Sequence, residues 1–231
     1  QAARDIVARW ASHDAGLLTC EDLSSPGWRH RLFDPSASRA VVGGQVVRAR
    51  DIRGVLVRRP WIIEQELAHM DASDREYAGA EMNAFLLSWL ASLPCRVLNR
   101  PSGTSLCGPN WRPLQWAHAA ACAGIPVETA QRRVPARRKR SDGVVPGVSQ
   151  PPVEVTLVGD RCFGDPDNFY AAGVRRLAAI ANVGLLAVRF MRGEPTPHFV
   201  SATAMPSLKD PEVAQAVCDY LSTETAAGES A

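Results

Sequence analysis

The period of the apolar positions changes several times along the chain, and each change marks an element. Ile6, Val7 and Trp10 recur at helical spacing and predict a helix over 2–13. Residues 15–23, AGLLTCEDL, read as a strand, and AVVGGQVVR reads as a hairpin turning at Gly43–Gly44. Residues 53–59, RGVLVRR, read as a buried strand that Pro60 ends. A helix opens after Asp71, with Asp71 or Ser73 as its cap and Asp74 and Glu76 in the first turn, where negative charge suits the dipole. Ala78, Met82, Phe85, Leu86, Trp89, Leu90 and Leu93 form its apolar stripe. Residues 95–99, CRVLN, follow as a short strand, then a loop, then a helix that ends at Gly124 before a strand starting at Ile125.

The pattern resumes after a long polar stretch. Residues 152–164 read as a strand, a turn at Gly159–Asp160 and the start of a second strand. A helix over 169–184 turns Val174, Leu177, Ala178 and Ile180 inward, and 185–191 pairs with 197–205 as two strands. A last helix, 210–223, carries Pro211 at its first position, and the tail beyond it is expected to fray. Alternating strands and helices in the first half predict an α/β domain with an open, mostly parallel sheet, whose first strand would lie upstream of Gln1. The second half reads as a smaller α+β unit. The expected organisation is an N-terminal domain over 1–130, a basic Pro/Gly-rich linker over 131–151, a C-terminal unit over 152–224 and a tail over 225–231.

Composition narrows the class. The 231 residues are 46% hydrophobic and 22% charged, which excludes wholesale disorder. The longest apolar run, 84–93, is far shorter than a membrane span, and no signal peptide is visible, so a cytoplasmic protein without membrane contact is expected. Six cysteines occur, none in CxxC pairs and most flanked by apolar residues; they are expected to be buried free thiols. No two histidines share metal-ligand spacing, and no motif marks a nucleophile.

Charge is concentrated in one place. Arg132, Arg133, Arg137, Arg138, Lys139 and Arg140 crowd one segment, although the net charge of the chain is only +2. A solvated linker is the first reading, and a docking segment for an acidic partner, through Arg137, Arg138 and Arg140, is the second. Nucleic acid is disfavoured, because no aromatic residue interleaves the run to stack on a base. Arg58 and Arg59 end a strand where open α/β sheets present ligands, and either binds a phosphate or carboxylate or pairs with Glu64, Glu66 or Glu81. Trp111, Arg112 and Gln115 gather at a helix start, which either holds an anion or packs Trp111 and Trp116 on the sheet. GGQVV is too short for a phosphate loop.

Taken in order, the pieces resemble the ATP-grasp superfamily, in the branch related to ribosomal S6 modification and graspetide maturation. The matching stretches are GVLVRRPW, the helix that leads to CRVLNRP, RPLQWAHAAACAGIPV, VEVTLVGDRCFG, and GLLAVRFMRGEPTPHFVSATAMPSL. The resemblance implies a pre-ATP-grasp-like N-terminal domain, a C-terminal ATP-grasp subdomain, and ATP held with Mg²⁺ between two subdomains.

The departures from that pattern fall on one chemical step. About 25 residues stand where the family has its central nucleotide-clamping subdomain, too few to build a sheet. Arg112 is the nearest cation to the place of a phosphate-contacting lysine. Arg189 takes the place of a metal-binding Asp, and Ser201 and Thr203 take those of a Glu and an Asn. The expected protein is therefore a pseudoenzyme without cofactor or metal: a binding or scaffold subunit for a protein or peptide partner, with homodimerisation as a further way to cover the freed face. Two alternatives remain open. One is an ATP- and Mg²⁺-dependent carboxylate–amine ligase with an altered or partner-completed site. The other is binding of nucleic acid or an acidic partner through 132–140.

Overall fold

A computed structural model describes residues 2–127, 152–164, 169–191 and 197–223. The basic run, with Arg137, Arg138 and Arg140, lies outside the described residues, as does the tail.

The chain opens with α1 (Ala2–Arg9) and a single helical turn, α2 (Cys20–Leu23). The strand expected over 15–23 does not form. Thr19 Oγ1 accepts from Asp22 N at 3.3 Å while Thr19 N donates to the Asp22 carboxylate at 2.8 Å, a reciprocal cap that commits the segment to a helical turn. The hairpin forms as expected: β1 (Arg39–Val42) pairs with β2 (Gln45–Arg48). Gly43 and Gly44 have φ of 57° and 76°, the left-handed pair that a two-residue hairpin turn requires.

β3 (Gly54–Leu56) and β4 (Arg96–Leu98) pair in parallel across the crossover helix α3 (Arg75–Ser92). Asp74, rather than Asp71 or Ser73, sits at the α3 cap, and its carboxylate takes the Ser73 hydroxyl at 3.1 Å instead of a backbone N–H. Leu86, Trp89, Leu90 and Leu93 bury the α3 stripe against Ala40, Ile62 and Val97.

α4 (Pro113–Cys122) leads to Val127, which makes one parallel bridge to Phe199. Beyond the undescribed stretch come β5 (Val153–Val158), β6 (Arg161–Phe163), α5 (Ala171–Ala181), β7 (Leu185–Met191), β8 (His198–Thr203) and α6 (Pro211–Ser222). The four strands form one sheet in the order β6-β5-β7-β8, antiparallel throughout.

The expectation of an open, mostly parallel sheet is therefore corrected. Among the described residues, parallel pairing is confined to β3–β4 and the single Val127 bridge. Alternating helices and strands look like repeated crossovers, but only α3 joins a pair of neighbouring parallel strands. The result is a mixed α/β fold of small sheets.

α4 and α5 pack on one face of the four-stranded sheet, where Trp116, Ala120, Val174 and Leu177 meet Val155, Leu186, Val188 and Phe190. Ile180, expected inward, is 46% exposed, because Val174, Leu177, Ala178 and Ala181 already define the buried stripe and Ile180 falls off it. α6 and α1 cover part of the other face, with Val217, Leu221, Ile6 and Trp10 against Val158, Leu185 and Leu98. Of the cysteines, Cys95, Cys107 and Cys218 are buried and Cys20 and Cys162 half-buried, whereas Cys122 is exposed on the outer side of α4. Among the described residues, no helix is long and apolar enough to cross a membrane.

Candidate functional site

Side chains alternate along a strand, so Leu185, Ala187 and Arg189 share one face of β7. The register sets Glu154 of β5, Arg189 of β7 and Ser201 of β8 in one row across three strands, and Thr203 lies opposite Ala187 in the next row on that face. Arg189 Nε stands 3.9 Å from Glu154 Oε2, with both side chains half exposed. Thr203 Oγ1 accepts from Met205 N at 3.1 Å. The three positions flagged in the sequence are thus brought together, and a fourth, Glu154, joins them. Strand alternation in VEVTLV held the signal for Glu154, since its neighbours Val153 and Val155 face the other way.

This donor set does not fit a magnesium ion. The ion wants several hard anionic oxygens in octahedral array. Glu154 is the one acid on these four strands, and it faces a guanidinium. Among the described residues, no three His, Cys, Asp or Glu side chains gather as a metal site.

β8 is the last strand of the sheet, and a cleft of about 210 Å³ runs along its open edge. Val200 to Met205 form one wall, while Cys107, Pro109 to Trp111 and Trp116 lie on the other. The Trp111 and Trp116 rings meet edge to face at 4.8 Å. The cleft is smaller than the roughly 300–1,000 Å³ of most small-ligand pockets. Ser201, Thr203 and Trp111 line it; Arg58, Arg59, Arg112, Gln115 and Arg189 do not.

The two strand-end arginines have separate fates. Arg59 pairs with Glu66. Arg58 has no such partner: its buried Nη1 finds no hydrogen-bond acceptor among the described residues, and burial depresses its pKa. Its charge bears on Cys107 in the cleft wall, but burial of that thiol prevails and pushes its pKa up, so Cys107 is not an activated nucleophile. Gln115 Oε1 accepts from Arg112 N at 2.8 Å and Pro113 carries no N–H, so the start of α4 is largely closed to an anion. Trp116 is buried and Trp111 half-buried, packed against the sheet core.

Sequence reasoning missed Asn99, which is only 2% exposed at the end of β4. Its Nδ2 donates to Leu185 O and Ala204 O at 2.8 and 3.0 Å, and its Oδ1 accepts from Gly184 N and Leu185 N at 3.0 and 2.8 Å. One side chain thereby fixes the start of β7 and the end of the β8 edge relative to β4.

The fold is similar to that of several solved ATP-grasp ligases and macrocyclases. The macrocyclase MdnB from Microcystis aeruginosa MRC superimposes with a TM-score of 0.60 at 13% identity, over 95% of this chain and 94% of that one. The ATP-grasp ligase PsnB, in complex with a phosphomimetic variant of its minimal precursor, Mg and ADP, gives 0.62 at 13% identity over 95% and 93%. The macrocyclase MdnC, bound with precursor peptide MdnA from the same Microcystis strain, gives 0.57 at 13% identity over 80% and 82%. At such identity the likeness establishes the fold alone. No family model matches the chain, and no characterised protein matches it in sequence.

Proposed function

We propose that this chain is a non-catalytic ATP-grasp-like protein, a docking subunit for a peptide or protein that operates alongside a peptide-modifying ligase. The observation that carries the reading is the row Glu154–Arg189–Ser201. Where the resemblance calls for anionic metal ligands, the chain presents a cation and two hydroxyls. Phosphoryl chemistry depends on positioning and neutralising charge with bridging metal ions, and Arg189 repels such an ion.

Length adds support. Val127 and Pro152 are separated only by 128–151, too few residues for a clamping subdomain in place of this Pro/Gly/Arg-rich linker. MdnC and PsnB were captured with precursor peptides, which favours a peptide as the partner class.

Calorimetry and thermal melting with ATP, with and without Mg²⁺, test the reading. No heat and no rise in Tm are expected. A nucleotide at a hundred times its Kd would stabilise the fold by about 2.7 kcal/mol, so a Mg²⁺-dependent rise in Tm overturns the proposal in favour of a ligase with an altered or partner-completed site.

A further inference from the structure

The open edge of β8 combines unpaired backbone, an aromatic wall and two arginines that adjoin the wall without lining the cleft. Ladder alternation sends the backbone groups of every second residue away from β7. Gly184 O accepts from Gly159 N on the β5 side, so alternation turns the backbone groups of Ala187 and Arg189 toward β8, opposite Thr203 and Ser201. Between those two, the N–H and C=O of Ala202 face away from β7, and neither has a partner beyond the sheet among the described residues. At the other end of the strand the same edge already accepts a neighbour: Phe199 N donates to Pro126 O at 2.8 Å, beside the parallel Val127 bridge. Among the described residues, strand addition is thus in use at one end of β8 and open at the other.

The wall opposite suits the side chains of an extended segment. Trp111, Trp116, Pro60 and Pro109 line it, and Val200 on the β8 side stays 44% exposed. Charge selects further. Among the described residues, no charged side chain of either sign lines the cleft; Arg112 is exposed beside Trp111, and Arg58, close to Cys107, carries a buried guanidinium nitrogen without an acceptor. An edge strand with free N–H and C=O groups recruits extended peptides by main-chain pairing, and flanking pockets and charges set which ones.

We propose that an extended peptide segment bearing carboxylate side chains adds as a strand to β8 at Ala202, between the β8 edge and the Trp111 wall. The inference rests on the peptide-docking reading above and specifies where and how the partner is held.

The test uses the full chain and short peptides of alternating valine and glutamate, valine and glutamine, or valine and lysine, with binding followed by Trp fluorescence and calorimetry. The expected order is glutamate, then glutamine, then lysine. N-methylation of alternate peptide nitrogens should weaken the glutamate peptide at least about tenfold, because it removes main-chain pairing while leaving the protein untouched. Ala202→Pro, which deletes the outward N–H at an edge position where proline is tolerated, should weaken it similarly with unchanged circular dichroism. No saturable binding by any of the peptides, or binding indifferent both to N-methylation and to Ala202→Pro, overturns strand addition. The earlier reading fails on a separate result, the binding of Mg²⁺-ATP, so the two failures are distinguishable.

Discussion

Asn99 and Leu185 are locked together by a reciprocal pair of hydrogen bonds, each 2.8 Å: the side-chain amide donates to the Leu185 carbonyl and accepts from the Leu185 N–H. With the further bonds to Gly184 N and Ala204 O, one buried side chain satisfies four backbone groups in two β-strand ends. Removing one partner of a buried hydrogen bond leaves the other unsatisfied, at about 1–3 kcal/mol per group. Asn99→Ala should therefore lower stability by about 3–5 kcal/mol in urea denaturation. Asn99→Asp should be at least as harmful, since a carboxylate would face two carbonyl oxygens with no donor to offer. A loss below about 1 kcal/mol for both would mean that the four bonds do not hold the strands as described.

Gly54 marks the closest approach of β3 to α6. A Cβ there would fall 2.6 Å from the Leu221 carbonyl oxygen and 2.7 Å from its Cβ, and the nearest atom is backbone, which cannot swing aside. Gly54→Ala should force α6 outward and cost about 1–3 kcal/mol, the usual range for overpacking. Because Arg96 also ties α6 down, through Nη1 to Tyr220 O at 2.9 Å and with its guanidinium over the Tyr220 ring, Arg96→Ala should deepen the loss. A double-mutant cycle that shows strict additivity would refute the shared dependence on α6.

Much of this arrangement was legible before any coordinates. The long α3 stripe, the Gly43–Gly44 turn, the Gly159–Asp160 turn and the Pro211 helix start all follow from local rules that tertiary packing did not need to override. The failures are equally specific. Residues 15–19 carry apolar side chains in strand-like order, but the Thr19–Asp22 cap decided the segment. Sheet direction was misread because helices between strands do not say which strands end up adjacent. At the site, Arg189, Ser201 and Thr203 were found through the resemblance to the ATP-grasp pattern, and Glu154 was within reach of strand alternation in VEVTLV. The Ala202 edge was not, because which strand lies outermost is a property of the assembled sheet.

Asp22 makes stability depend on acid pH. Burial alone would raise its pKa, but hydrogen bonds from Thr19, Gly44 and Gly43 outweigh that and hold the carboxyl below its ordinary value. A folded-state pKa below the unfolded one means that the contribution is complete above the unfolded value and is lost as pH falls through the folded one. Stability should therefore decline on acidification below the ordinary Asp range, and Asp22→Asn should flatten that part of the curve while lowering stability at neutral pH. Urea midpoints measured at intervals between neutral pH and strong acid check both. A variant curve parallel to the parent's would show that the α2 cap and the hairpin turn do not depend on the ionised carboxylate.

The Glu154–Arg189 pair makes a sharper claim about chemistry. Both groups are half exposed and 3.9 Å apart, so their attraction is screened, and Arg189→Ala should change stability by less than about 1 kcal/mol. The effect on cations should be larger than the effect on folding. The combined substitutions Arg189→Asp, Ser201→Glu and Thr203→Asn remove the guanidinium and place anionic and amide oxygens around Glu154 on one face, with the sheet fixing their spacing. Like charges so placed repel, which lowers stability without an ion and restores it when a divalent cation binds. Melting curves should show a lower Tm for the triple variant in chelator and a recovery in millimolar Mg²⁺, where the parent chain shows no Mg²⁺ response. A Mg²⁺ response in the parent equal to that of the variant would show that Arg189 does not exclude the ion, and the non-catalytic reading would lose its main support.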